Sequence, residues 1–273
     1  MATKTVLFVH GNFVNHRCWD RWVNRYEAQG YTCIAVPYPG RDKSVEALRK
    51  AHPDPKVSQL GLDEVLDHHV RIINKLEESP IIIGHSFGGL VTQLLVNRGL
   101  GAAAVAIDSV PPQGVLSFSG SFIRSTMPIL NPLTRSPYLM PFKHFQYTFV
   151  NGMALADQKR AYEETVVPES LRLARGGLSS KAHVDFKKAH APLLMIGGEI
   201  DHIMPASLNK INFKKYRASS SVTEFKEFPG RSHYSVIAGK GWEEVADYAL
   251  NWVVNQTRSN NERREPVQVV PVH

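Results

Sequence analysis

The chain has 273 residues, 43% of them apolar, and a formal net charge of +7. A chain this long buries about three quarters of the surface its unfolded form exposes, so it needs neither disulfides nor metals to stay folded. Its cations are scattered, with short runs such as the pair Lys187–Lys188, and no basic stripe interleaves with aromatics. This speaks against nucleic acid as a partner and leaves the charge to solubility and mild substrate steering.

No apolar run approaches the ~18 residues of a membrane span. Cys18 and Cys33 stand in no Cys-x-x-Cys pair and read as reduced thiols. The N-terminus runs straight into an apolar segment without the pattern of a secretory leader, so a cytoplasmic location is expected.

Taken in chain order, six short apolar runs rich in β-branched residues predict strands: Thr5–Val9, Tyr31–Val36, Pro80–Ile83, Ala103–Ile107, Pro192–Ile196 and Val222–Phe228. The first five are continuous rather than alternating, as befits parallel strands covered on both faces. Helical spacing separates most of them, over Gln59–Glu78, Leu90–Asn97 (with Gly99 as a C-cap) and finally Trp242–Trp252. Strand–helix alternation predicts an α/β fold, a mostly parallel, doubly wound sheet of about six to eight strands.

One stretch breaks the rhythm. From Pro111 to His190 no strong strand is expected. Pro128, Pro132, Pro137 and Pro141 punctuate its first half, and helical patches at Ala154–Glu164 and Glu169–Arg175 fill the second. So long a break between strands predicts an inserted subdomain. The domain reading is a core of residues 1–110 and 191–256, a helical cap of 111–190, and a mobile tail of 257–273 without assigned function.

The strongest chemical signal is Gly84-His85-Ser86-Phe87-Gly88, held between an apolar strand and a helix. In that context G-x-S-x-G places a serine on a sharp strand-to-helix turn, with its Oγ lifted clear of the sheet. Glycines two residues either side avoid the collisions such a turn forces. Gly89 lets helix and strand approach. His85 itself reads as a packing residue.

A serine hydroxyl needs a base. Twelve histidines are available, and position selects among them, because reacting groups collect at the carboxyl ends of strands in such a sheet. His233 follows the last strand by five residues, in Pro-Gly-Arg-Ser-His-Tyr. The orienting carboxylate expected is Asp201, in Gly-Gly-Glu-Ile-Asp-His after the fifth strand. Glu199 and Asp108 compete with it. The bland reading of Glu199 is a solvated turn residue, and that of Asp108 a carboxylate capping Ser109-Val-Pro-Pro. His202 reads as a lip residue. An oxyanion hole needs two aligned donors. The N–H of Phe87, which follows the nucleophile, and that of Asn12, in the loop after the first strand, fit best. Phe13 is the fallback for the second, and His10 reads as structural. No cofactor or metal is called for.

These residues together resemble the α/β-hydrolase superfamily, over about residues 4–256. The resemblance rests on His10-Gly11-Asn12, Gly84-His85-Ser86-Phe87-Gly88-Gly89, Gly198-Glu199-Ile200-Asp201 and Gly230-Arg231-Ser232-His233. It implies an eight-stranded sheet with a helical cap after the sixth strand. This chain departs from that by beginning at what would be the third strand. His10-Gly11-Asn12 with Trp19 is also similar to haloalkane dehalogenases. There the nucleophile is an aspartate followed by a tryptophan, whereas Ser86 and Phe87 stand here, which speaks against dehalogenation.

The expected activity is hydrolysis of a small-molecule carboxylic ester with apolar parts, through an acyl-serine. Lactone hydrolysis, carbon–carbon bond hydrolysis and hydroxynitrile cleavage use similar triads. A ligand receptor with little turnover is the reading from another class. In the cap, Phe118, Phe122, Met127, Met140, Phe142, Phe145, Tyr147, Phe149 and Met153 supply both its core and an apolar pocket wall. Arg124, Arg135 and Arg175 would bind a charged substrate only if the fold gathered them.

Overall fold

In the computed structural model, residues 3–262 are described. Six strands form one sheet: β1 (Thr5–Val9), β2 (Thr32–Val36), β3 (Ile81–His85), β4 (Ala103–Ile107), β5 (Leu193–Gly198) and β6 (Thr223–Phe228). Their order is β2-β1-β3-β4-β5-β6, and every neighbouring pair is parallel.

The continuous apolar strands follow from burial on both faces. In β1, Val6 and Phe8 point to one side while Leu7 and Val9 point to the other. Ile81 and Ile83 share the first side and Ile82 the second. The first layer holds the helices Asp20–Glu27 and Trp242–Glu262, which bring Trp22, Tyr26, Trp242 and Val245 against the sheet. The second holds Leu62–Ile73 and Phe87–Asn97, with Val65, Leu66, Leu90 and Val91. Buried alternately in this way, each apolar side chain of the inner strands gains about 1.5–3 kcal/mol of transfer free energy, while the edge strands β2 and β6 are partly exposed and β6 carries Glu224, Lys226 and Glu227.

The chain passes from β1 outward to β2 and returns across β1 to place β3 on its other side. The carboxyl ends of β1 and β3 therefore lie side by side where the winding reverses. At such a point the two following loops diverge and leave a crevice. The loops concerned carry Asn12 and Ser86.

Helix limits differ from the sequence expectation in three places. The expected Gln59–Glu78 helix is Leu62–Ile73, preceded by a short helix Pro55–Gln59. Leu60 is extended and Gly61 opens the second helix, with its N–H donating to Glu64 at 3.1 Å. The last helix continues past Trp252 to Glu262, beyond the expected end of the core; the remainder of the expected tail, 263–273, lies outside the described residues. The proline-punctuated half of the insertion holds two helices, Gly120–Leu130 and Phe142–Thr148. Ser119 caps the first by accepting the Phe122 N–H, and Pro141 precedes the second, where its missing N–H costs nothing.

Between β4 and β5 the chain forms no strand, only a single bridge joining Tyr138 to Glu169. Its helices sit over the carboxyl end of the sheet. Met140, Phe145, Phe149 and Leu171 pack there against Phe13, Ile203, Met204 and Tyr234 of the core loops. One apolar cluster is thus shared between cap and core. Cys18 and Cys33 are free thiols. Among the described residues, no helix is long and apolar enough to cross a membrane.

Candidate active site

Ser86 sits between the end of β3 and the helix Phe87–Asn97, with φ +57° and ψ −119°. A non-glycine residue at positive φ is strained and persists only where its surroundings over-determine it. Here the Ser86 N–H donates to Ile107 at 2.9 Å and its carbonyl accepts from Val110 at 3.0 Å. The flanking glycines are obligatory. A Cβ on Gly84 would lie 2.1 Å from the Gly88 carbonyl oxygen, and one on Gly88 would lie 2.2 Å from that of Val9.

His233 follows β6 and is fully buried. Its Nδ1 lies 2.6 Å from Asp201 Oδ2, and its Nε2 has no hydrogen-bond partner among the described residues. Asp201 is fixed in turn by its other oxygen, which accepts the N–H groups of Ile203 and Met204, each at 2.8 Å. The ring of Phe149 stands edge-on to His233, with centroids 4.8 Å apart.

The competing carboxylates take other hydrogen-bond partners. Glu199 is exposed and accepts the Gly230 N–H at 2.8 Å, bracing the turn after β6. Asp108 is buried and adopts φ +41°. It does not cap the residues after it, as expected from sequence: its Oδ1 accepts the Gly198 N–H at 2.7 Å, while the Ser109 N–H turns to Asn209. Burial, reinforced by the nearby Asp201 charge, pushes the Asp108 carboxyl well above the usual carboxylate range.

The residues of the two expected oxyanion donors line one cavity. Among the described residues, neither the Asn12 nor the Phe87 N–H donates to a protein acceptor. The Phe13 N–H does, to Glu169 at 3.3 Å, which removes the fallback. Glu169 is itself buried against Arg41, which also donates to the Pro168 carbonyl. The Phe13 carbonyl accepts from Val167 at 2.8 Å, so the cap holds this loop through both backbone groups of one residue. Gly11 is forced by its neighbour, since a Cβ there would lie 2.8 Å from Ser86 Cβ.

Three other histidines, His10, His85 and His202, make structural bonds. Burial drives His10 down to about 3, so its ring stays neutral, held between the Gly11 carbonyl and the Tyr38 N–H. His85, also buried and held neutral, has its Nε2 2.7 Å from the His233 carbonyl. It thereby ties the serine turn to the His233 loop, a role with no sequence signal because its partner is a backbone atom far along the chain. His202 is half-buried. It stacks on Tyr147 at 4.5 Å and links the cap to the Asp201 loop. His85, Asp108 and His233 each bring a ligand-capable atom within 4.8 Å of the others. Internal bonds use one nitrogen of each ring, while His85 Nδ1, Asp108 Oδ2 and His233 Nε2 have no hydrogen-bond partner among the described residues.

Ser86, Asn12, Phe13 and Phe87 line one cavity. Its walls are almost entirely apolar, from cap residues including Phe122, Ile129 and Phe149 and from Ile203 and Met204 of the core. Of the aromatic and methionine residues in the cap, Met140 and Phe145 are cap core, while Phe118 and Met127 are exposed. None of the three candidate arginines lines the cavity. Arg175 donates to carbonyls of Ile129, Asn131 and Thr134, and Arg124 lies over the Tyr147 ring at 4.0 Å.

Comparison with known proteins agrees with this architecture. An extracellular alpha/beta-hydrolase from a Paenibacillus species, described as sharing homology with tobacco salicylic acid binding protein 2, superposes with a TM-score of 0.67 at 18% identity. The match covers 90% of this chain and 98% of that one. A monoacylglycerol lipase from Paleococcus ferrophilus gives 0.66 at 20% identity, covering 93% and 96%. Tomato methylketone synthase I gives 0.68 at 16% identity, covering 94% and 100%. At these identities the likeness is one of fold. No curated protein matches the sequence. The family described as "Alpha/beta hydrolase family" matches residues 6–248, nearly the whole length, and the chain belongs to it.

Proposed function

We propose that this chain is a serine hydrolase that cleaves carboxylic esters with apolar groups through an acyl-serine intermediate. The observation that carries the reading is the pairing of His233 with Asp201, on a loop that His85 ties to the strained Ser86 turn, with Ser86 lining an apolar cavity. In the first half-reaction His233 Nε2 takes the Ser86 Oγ proton as the oxygen attacks the ester carbonyl. Asp201 holds the Nδ1 proton and stabilises the imidazolium that forms. The Asn12 and Phe87 N–H groups receive the oxyanion, each contributing about 3 kcal/mol. His233 then returns the proton to the leaving alcohol. In the second half-reaction it activates a water in the same way, and the acid leaves.

The apolar walls support esters with hydrocarbon acyl or alcohol parts over charged substrates, which would desolvate there without a counter-charge. Incubation with a fluorophosphonate followed by intact mass and peptide mapping tests the reading. A single adduct on Ser86, absent in Ser86→Ala, is the expected result. A folded, unlabelled protein would overturn it.

A further inference from the structure

The cap's first helix, Gly120–Leu130, has two apolar faces where a soluble globule needs one. Phe122, Thr126, Ile129 and Leu130 look into the cavity. Ile123 and Met127, four residues apart on the adjoining face, look outward, and Met127 is 62% exposed. The flanking segments extend the same surface with Leu116, Phe118 at 83% and Leu133 at 86% exposure. Five of the nine large exposed apolar residues among the described residues thus fall between positions 116 and 133. Leu178 joins the two regions, since it lines the cavity and is also largely exposed. Exposed apolar side chains concentrated in this way mark an interaction surface rather than ordinary scatter.

The stretch of chain that carries this surface has charge of one sign. Between Asp108 and Asp157 the sequence has no acidic residue, although the chain as a whole carries 25. In that span Arg124, Arg135 and Lys143 are exposed. An apolar segment whose own charges are all cationic matches an anionic amphiphile surface, with hydrocarbon beneath and negative headgroups at the edge. A second copy of the chain fits it poorly. A two-fold contact through this segment would set its cations against their own counterparts.

We propose that the outer face of the cap helix Gly120–Leu130, with Leu116, Phe118 and Leu133, docks on an anionic lipid surface and sets the cavity mouth against it. The apolar side chains enter the headgroup boundary, and Arg124, Arg135 and Lys143 pair with lipid phosphates. Leu178 then stands where a hydrocarbon chain passes from the lipid into the cavity. Delivery of an ester to Ser86 rests on the function proposed above; the docking itself does not.

The test therefore uses Ser86→Ala protein and is read by co-flotation with extruded vesicles. Binding to phosphatidylglycerol vesicles is expected at least tenfold tighter than to phosphatidylcholine vesicles, and weakening as salt rises past the point where surface charges are screened. Phe118→Ser with Leu133→Ser should weaken it at least tenfold, as should Arg135→Glu with Lys143→Glu. In the Ser86-containing protein both pairs should leave hydrolysis of a soluble short-chain ester and the melting temperature unchanged. Absence of binding to phosphatidylglycerol, or binding indifferent to both pairs, would overturn the docking. So would a concentration-dependent dimer that the Phe118/Leu133 pair dissolves. Vesicle binding without fluorophosphonate labelling would overturn the esterase reading alone.

Discussion

Replacing Asp201 by asparagine removes a charge while keeping a shape. The carboxylate holds three groups: Oδ1 accepts two backbone N–H groups at 2.8 Å, and Oδ2 faces His233 Nδ1 at 2.6 Å. An asparagine keeps the backbone donors on its one oxygen, which turns its amide nitrogen toward His233. Nδ1 must then accept, so the ring proton moves to Nε2, the nitrogen that has to take the serine proton. The imidazolium also loses its counter-charge. Together these effects cost about 10⁴-fold in kcat/KM, or roughly 5 kcal/mol. The backbone bonds that place the loop survive, so the melting temperature should move by only a few degrees. Steady-state hydrolysis of a p-nitrophenyl ester, with fluorophosphonate labelling rate as a second readout, measures the loss. Asp108→Asn is the companion variant. Asp108 bonds the Gly198 N–H and makes no hydrogen bond to His233, so kcat/KM should stay within about tenfold of wild type. Activity above a tenth of wild type in Asp201→Asn, or an equal fall in Asp108→Asn, would refute the assignment of Asp201 as the orienting carboxylate.

Two further outcomes follow from buried groups. Glu169→Ala leaves the Arg41 guanidinium buried without its counter-charge and releases the Phe13 N–H, so calorimetry should show a loss of about 3–5 kcal/mol, and a shift below 2 °C by an order-of-magnitude conversion would contradict it. Burial lowers His10 to about 3 and His69 to about 4, both below the unfolded value of 6.5. As pH falls through 6.5 the unfolded chain takes up protons that these buried rings refuse, so stability drops by about 1.4 kcal/mol per pH unit for each group until its folded value is reached. At pH 5 that is about 2 kcal/mol each. A melting temperature flat between pH 7 and 5 would contradict this, and His69→Leu should make the decline shallower.

Some of this molecule is written in local residue order. The four buried strands are legible because each must be apolar on both faces, and continuous runs such as Ile81–Ile83 satisfy that condition by themselves. The serine turn is legible because close backbone approach excludes side chains at 84 and 88, and only glycine meets that demand. The cap helix Gly120–Leu130 is hidden by Pro128, which reads as a break yet sits in the last turn, where the helix forgoes one N–H bond and ends two residues later.

What local order could not decide is which distant groups meet. Asp108, Glu199 and Asp201 all follow strands at one sheet edge, and their residue type and position are nearly equivalent. Only the folded loops separate them, putting Asp201 on His233, Asp108 on the Gly198 N–H and Glu199 on a surface turn. Arg41 and Glu169 meet across the cap–core boundary, and His85 reaches the His233 carbonyl, because the winding of the sheet brings those loops together. Sequence alone determined that a serine would be raised at the end of the third strand. The tertiary structure decided what surrounds it, since hydrogen bonds and apolar walls depend on distances through space that spacing along the chain does not encode.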